Sequence, residues 1–236
     1  MKLCTFPDYE SLCDAVASEV TKQLARKPES VLVFPTGNTP LGLFKVLAGM
    51  HTRSAADFSS AHIVVLDEYA DIAPDDPRSL TGWLHRELLA KIEIPASRIH
   101  DFRHGPDSIE RAVSKLGGLD MVILGLGPNG HLAFNEPGSA FGSRSRRISL
   151  TLESIRSNAA YWGSENLVPS HGLTLGLGTL ASARSIILMV SGETKKQILA
   201  DTIHGPVSTN NPATMIRNLT HARVFADKAS MGVDAA

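Results

Sequence analysis

Apolar residues recur along this chain in two alternating periods. Leu12, Val16, Val20 and Leu24 fall every four residues between Tyr9 and Arg26, which predicts an amphipathic helix with one buried stripe. Residues 30–34 (SVLVF) are a short continuous apolar run that stops at Pro35-Thr36-Gly37-Asn38, the pattern of a buried strand entering a turn. Thr39-Pro40 then reads as an N-cap followed by proline at the first helical position, opening a helix through LGLFKVLAGM. The alternation continues with a strand at 62–66 (HIVVL), a helix at 79–92, a helix at 110–116 stopped by Gly117-Gly118, and a strand at 121–124. Further on come a weaker strand at 173–175, a strong one at 185–190 (SIILMV), a helix at 193–203 and a strand at 222–226.

Strands alternating with helices predict an α/β fold with a mostly parallel sheet covered by helices. Nothing reads as an interdomain linker or an internal repeat, so residues 1–236 are expected to form a single domain. In such a sheet ligands gather beyond the carboxyl ends of the strands. Four polar loops are expected there: 35–39, 67–69, 125–136 and 191–195. The composition is that of a globular chain, with 43% hydrophobic and 20% charged residues among 236. A net charge of −1 offers no global field for nucleic acid or a membrane surface, so an anionic ligand would need a local positive site. No apolar run approaches the ~20 residues of a membrane span, and the N-terminus lacks a secretory apolar core. The two cysteines, Cys4 and Cys13, form neither a metal-ligand pattern nor a disulfide framework. A cytoplasmic location is the expectation.

Residues 125–130 (GLGPNG) match G-x-G-x-x-G after a strand, the dinucleotide fingerprint. That turn requires a helix directly after the glycines to receive a pyrophosphate. Here His131 to Phe134 lead straight into the breaker Asn135-Glu136-Pro137-Gly138, and no acidic residue follows at the ribose-binding distance. The glycines are expected to serve another purpose.

Each loop carries usable chemistry. The amides of Gly37, Asn38 and Thr39, with the hydroxyls of Thr36 and Thr39, face a helix N-terminus, a ready anion site. Asp67 and Glu68 follow an apolar strand, which places at least one carboxylate at the sheet's edge, where partial desolvation makes a usable base. His131 and Glu136 lie five apart in a glycine-rich segment, and a carboxylate can orient a histidine ring. Lys195, in the first turn of a helix, sits where a cation is unfavourable unless an anion joins it.

Together PTGNTPLGLFK, VVLDEYADI, LGLGPNGHLAFNEPGS with the later SRSRRISL, and LTLGLGTLASARSIILMVSGETKK resemble the glucosamine-6-phosphate deaminase (isomerase) family. GHLAFNEP is the most specific piece. The resemblance implies a Rossmann-like sheet with helices on both faces and conversion of glucosamine 6-phosphate and water to fructose 6-phosphate and ammonia. It calls for no cofactor and no metal. It implies that His131 moves a proton at the ring oxygen, that Asp67 carries a proton between C2 and C1, and that Glu136 orients His131. Thr36, Gly37, Asn38, Thr39 and Lys195 would hold the phosphate, with Arg144 and Arg146 as further anion contacts.

Two departures stand out. Asn129 replaces an aspartate that many members place in a carboxylate–histidine–carboxylate group. Ala160 aligns with a phosphate-binding arginine of regulated members, and Arg156 is out of register with it. The expected partner is a small sugar phosphate, with homo-oligomerisation left open. Three alternatives remain: a galactosamine-6-phosphate deaminase, a 6-phosphogluconolactonase, and a sugar-phosphate-sensing domain.

Overall fold

Near-continuous apolar strands must be covered on both faces, and the computed structural model, which describes residues 1–73 and 75–232, shows how. In chain order the elements are β1 (Lys2–Phe6), α1 (Tyr9–Arg26), β2 (Val31–Val33), α2 (Leu41–Thr52), β3 (His62–Val64), β4 (Asp67–Tyr69), α3 (Leu80–Leu84) and β5 (Ile99–His100). They continue with α4 (Pro106–Lys115), β6 (Met121–Leu124), β7 (Arg146–Ser149), α5 (Leu152–Trp162), β8 (His171–Thr174) and α6 (Leu177–Ala181). The last are β9 (Ser185–Val190), α7 (Lys196–His204), β10 (Ala222–Asp227) and α8 (Lys228–Met231).

Seven strands form one parallel sheet in the order β1-β10-β9-β6-β2-β3-β5. Period-2 alternation sorts the side chains. Val31, Val33, Val122, Leu124, Ile186 and Leu188 join one core with α4, α6 and α7. Leu32, Phe34, Met121, Ile123, Ile187 and Met189 join the other with α1 and α2. The predicted stripe Leu12, Val16, Val20 and Leu24 is buried as expected. Helices thus cover both faces, as the sequence predicted.

The chain reverses its direction of travel across the sheet between β2 and β6. From β2 it proceeds through α2 to β3 and outward to β5. From β6 it proceeds the other way, to β9 and β10. The loops after these two strands diverge and leave a crevice at their carboxyl ends.

Four expectations need correction. Asp67–Tyr69 is not a loop: it pairs antiparallel with β8, and β7 pairs on β8's other side, making a separate three-stranded sheet. The predicted strand near 173–175 therefore belongs to this small sheet and not to the parallel one. Its short segments carry too little apolar pattern to show which sheet they join, because pairing partners are chosen in three dimensions. The helix at 79–92 is α3 followed by a π-helical turn at His85–Leu89. Lastly, Thr39 does not cap α2. Pro40 stands at the N-cap with no side-chain cap bond, and Tyr9 of α1 supplies what is missing. Its hydroxyl accepts from Gly42 N at 2.8 Å and donates to the Thr39 carbonyl at 2.8 Å. β1, β5, β7, α5, α6 and α8 were not predicted.

Gly42 makes that Tyr9 contact sterically feasible. A Cβ there would lie 2.7 Å from Cys13 Sγ and 2.8 Å from the Tyr9 hydroxyl. Alanine in a helix is ordinarily better than glycine by about 1 kcal/mol, but overpacking costs about 1–3 kcal/mol and the Tyr9 bonds are lost as well. Gly42→Ala is expected to destabilise the fold by about 1–2 kcal/mol, read from urea unfolding. A variant as stable as the parent would contradict this packing.

Candidate active site

The crevice is a cleft of about 440 Å³. Thr36, Gly37, Asn38 and Thr39 from the loop after β2, Asp67 from β4, Gly125 to Pro128 and His131 after β6, and Lys195 after β9 all line it. The four segments singled out in the sequence therefore meet. Asn129 and Glu136 stand behind His131, outside the lining. Arg144 and Arg146 are not brought to the cleft. Arg144 pairs with Glu110 at 2.5 Å. Arg146 donates to Asn135 Oδ1 at 2.8 Å and to Ser139 Oγ at 3.0 Å, bracing the turn after Glu136.

One side of the cleft suits an anion. Among the described residues, the amides of Thr36, Gly37, Asn38 and Thr39 donate to no protein acceptor. Gly37 has φ +93°, a conformation glycine adopts without steric cost. Lys195 ends a 3₁₀ turn (Glu193–Lys195) that opens into α7. Its Nζ donates to the Leu126 carbonyl at 2.7 Å and has no carboxylate partner among the described residues. Burial pulls its pKa below the ordinary value. An anion beside it would reverse that shift and complete its charge balance.

The other side holds ionisable groups of opposite character. Glu68 accepts from Tyr69 N, Leu80 N and Thr81 N at 2.8–2.9 Å, so it caps α3 and is fully used. Asp67 beside it is 5% exposed, and its Oδ1 has no hydrogen-bond partner among the described residues. Burial, reinforced by the neighbouring Glu68 charge, pushes the Asp67 carboxyl up to about 8. Of the two adjacent acids, the structure reserves Asp67 for the cleft.

His131 Nδ1 is buried and lies 3.5 Å from Glu136 Oε2, at the outer limit of a hydrogen bond. Asn129 joins the two. Its Nδ2 donates to Glu136 Oε2 at 3.0 Å, and its Oδ1 accepts from the His131 backbone N–H at 3.1 Å. The glycines serve the histidine: a Cβ on Gly127 would lie 2.2 Å from the His131 ring, and Gly130 turns the chain at φ +84°. Burial alone would raise the Glu136 pKa. The His131 charge and the Ser154 and Asn129 donors outweigh it and hold the carboxyl below its ordinary range.

Sequence reading missed a third wall. α5 contributes Ser157, Asn158 and Tyr161 to the lining, and Ser154 reaches Glu136. The available signal was Thr151 with Glu153, an N-cap and a first-turn acid. Its weak apolar stripe, with Leu152 69% exposed, concealed it.

A carboxyl raised by burial is ionised at a cost to folding. Its stabilising contribution is complete below the unfolded pKa near 3.8 and is lost as pH rises through about 8. Asp67→Asn removes the charge while keeping the shape. The variant is expected to be more stable than the parent, by a margin that grows from pH 5 to pH 8 in urea unfolding. A margin that stays flat with pH would show that Asp67 titrates normally.

Comparison with known proteins places this geometry. The profile of the family described as glucosamine-6-phosphate isomerases/6-phosphogluconolactonase matches residues 8–225. A glucosamine-6-phosphate deaminase of Thermoanaerobacter pseudethanolicus is 34% identical over 235 residues, covering 97% of this chain and 93% of the relative. Glucosamine-6-phosphate deaminase 2 of Bacillus subtilis is 35% identical, covering 96% and 95%. The solved structure of a monomeric glucosamine-6-phosphate deaminase superposes with a TM-score of 0.95 at 30% identity, covering 99% of this chain and all of that one. A 6-phosphogluconolactonase from Trypanosoma cruzi shares the fold, with a TM-score of 0.78 at 18% identity and coverage of 98% and 96%. On the length and identity of these matches, the chain belongs to the glucosamine-6-phosphate isomerase/6-phosphogluconolactonase family.

Proposed function

We propose that this chain is an amino-sugar phosphate deaminase, converting glucosamine 6-phosphate and water into fructose 6-phosphate and ammonia. The observation that carries this reading is the placement of Asp67. A buried carboxyl free of protein hydrogen bonds on Oδ1 faces a cleft whose far side is an anion cradle. Removing a proton beside a carbonyl or imine carbon needs a placed base, and a tethered phosphate supplies the placement.

The residues divide the reaction as follows. The phosphate rests on the amides of the 36–39 loop and on Lys195. His131, oriented by Glu136, transfers a proton at the ring oxygen, and the pyranose opens to the aldehyde. Asp67 takes the C2 proton, leaving an enolamine, and returns a proton to C1. The product is a C2 imine, which water attacks, and ammonia leaves as fructose 6-phosphate forms. With its pKa at about 8, about a tenth of Asp67 is ionised in the free enzyme at pH 7. A cationic amino group bound nearby favours the ionised form. Among the described residues no helix is long and apolar enough to cross a membrane. Cys4 and Cys13 are free thiols, which supports a reducing compartment, and we propose that it is the cytoplasm.

Ammonia release from glucosamine 6-phosphate and galactosamine 6-phosphate, assayed in parallel, tests the reading. Faster turnover of the gluco sugar is expected, with kcat/KM rising toward about pH 8 as Asp67 ionises. No ammonia from either sugar would refute the activity, and a preference for the galacto sugar would change its substrate. Asp67→Asn is expected to lose turnover by at least about 10²-fold while still binding the sugar phosphate in calorimetry. Full activity in that variant would remove Asp67 from the proton transfer.

A further inference from the structure

α5 carries a single polar stripe into the cleft. Ser154, Ser157, Asn158 and Tyr161 are spaced i, i+3, i+4 and i+7, so they share one face over two turns, on the order of 10 Å. At one end Ser154, 1% exposed, donates its hydroxyl to Glu136 Oε1. At the other end the Tyr161 hydroxyl donates to Asn38 Oδ1 at 3.0 Å, although the residue is 48% exposed. Between them, Asn158 Nδ2 and Ser157 Oγ both donate to the Ser154 carbonyl, at 2.8 and 3.0 Å. The helix is anchored past the stripe by Trp162. Its ring meets Tyr69 edge-on at 5.0 Å and lies 4.2 Å beneath the Arg78 guanidinium.

One helix therefore touches the phosphate loop and the carboxylate behind His131. Glu136 presents Oε2 to the His131 ring at 3.5 Å, and that side is shared with Asn129. Rotation of the carboxylate is restrained from the other side by Ser154 alone among the described hydrogen bonds. His131 is the titratable group facing Glu136; Asn129 and Ser154 are neutral donors. A carboxylate free to turn would leave the Nδ1 of His131 without its one neighbour.

We propose that Ser154 is a positioning residue for the His131–Glu136 pair, and that α5 acts as a strut making its hold on Glu136 depend on the Tyr161–Asn38 contact at the phosphate loop. Ser154 touches no reacting atom; it acts through Glu136. Tyr161 ties the same rod to the loop that grips the phosphate, so seating of the phosphate and orientation of the histidine become one event. The inference rests on the deaminase reading for its kinetic arm and has a second arm that does not need turnover.

The experiment is a double-mutant cycle with Ser154→Ala and Tyr161→Phe in ammonia release, with Ser154→Thr as the conservative control. Ser154→Ala is expected to lower kcat about tenfold with KM within roughly twofold, and Ser154→Thr, which keeps the hydroxyl, to restore most of it. Tyr161→Phe is expected to raise KM and, by loosening the hold of Ser154 on Glu136, to lower kcat as well. The two sites lie far enough apart that independent effects would multiply to within roughly twofold. A strut predicts instead that kcat/KM of the double variant is about that of the slower single variant. In parallel, the Nδ1 resonance of the His131 imidazole, followed by NMR at fixed pH, reports its contact with Glu136; it is expected to move in Ser154→Ala and return in Ser154→Thr. An unmoved resonance, or unchanged kcat in Ser154→Ala, overturns the role of Ser154. Multiplicative effects overturn the strut. Absence of ammonia from the parent protein would fail the deaminase reading instead, leaving the His131 resonance to judge Ser154.

Discussion

Parallel pairing of β2 with β6, Leu32 beside Met121 and Val33 beside Val122, is the contact on which the site depends. The chain leaves these neighbours in opposite directions across the sheet. Their carboxyl-terminal loops must then part, and the gap between them cannot be filled by either crossover. The loop after β2 offers amides, and the loop after β6 offers His131. Alternate faces of the same strands are locked into two separate cores. The cleft edges are thus held by strands that have no freedom to slip register.

Within the cleft, burial sorts ionisable groups by whether their bonding is complete. Glu68 and Asp67 are adjacent, almost equally buried and chemically alike. Three backbone donors from β4 and α3 satisfy Glu68. Asp67, on the opposite side of the pleat, receives none at Oδ1. An unmet carboxyl in that position favours its neutral form and is poised to exchange a proton near neutral pH. Lys195 shows the complementary case, an ammonium held by one carbonyl with no carboxylate partner among the described residues. In the proposed reaction a phosphate would compensate the second group, and proton transfer would use the first.

The asparagine at 129 is accounted for by the same reasoning. Its amide nitrogen donates to Glu136 while its oxygen receives the His131 backbone amide. A carboxylate at this position could make only the second of these bonds and would meet Glu136 as a like charge. In this chain the loop is braced by a neutral bridge, and among the described residues Glu136 is the carboxylate paired with the histidine. The glycines of the false nucleotide fingerprint have a local purpose as well, since the His131 ring occupies the space a side chain on Gly127 would fill.

The sequence by itself determined the parallel sheet, its two covered faces and the four segments that meet, because continuous apolar runs and 3.6-residue stripes are local properties that survive folding. It also marked Asp67, His131, Glu136, Lys195 and the 36–39 loop, since their spacing from strand ends is written along the chain. Tertiary structure alone decided the rest. Which of Asp67 and Glu68 stays unbonded depends on α3 arriving from twelve residues away. That Asp67–Tyr69 pairs with β8 rather than forming a loop depends on a partner a hundred residues distant. Arg144 and Arg146, basic and suggestive in sequence, are committed to Glu110 and to the 135–143 turn. The wall made by α5 escaped prediction because its contacts are polar and point into a cleft. Such a helix has little apolar period to detect, and its role exists only where Glu136 and Asn38 are brought to its two ends.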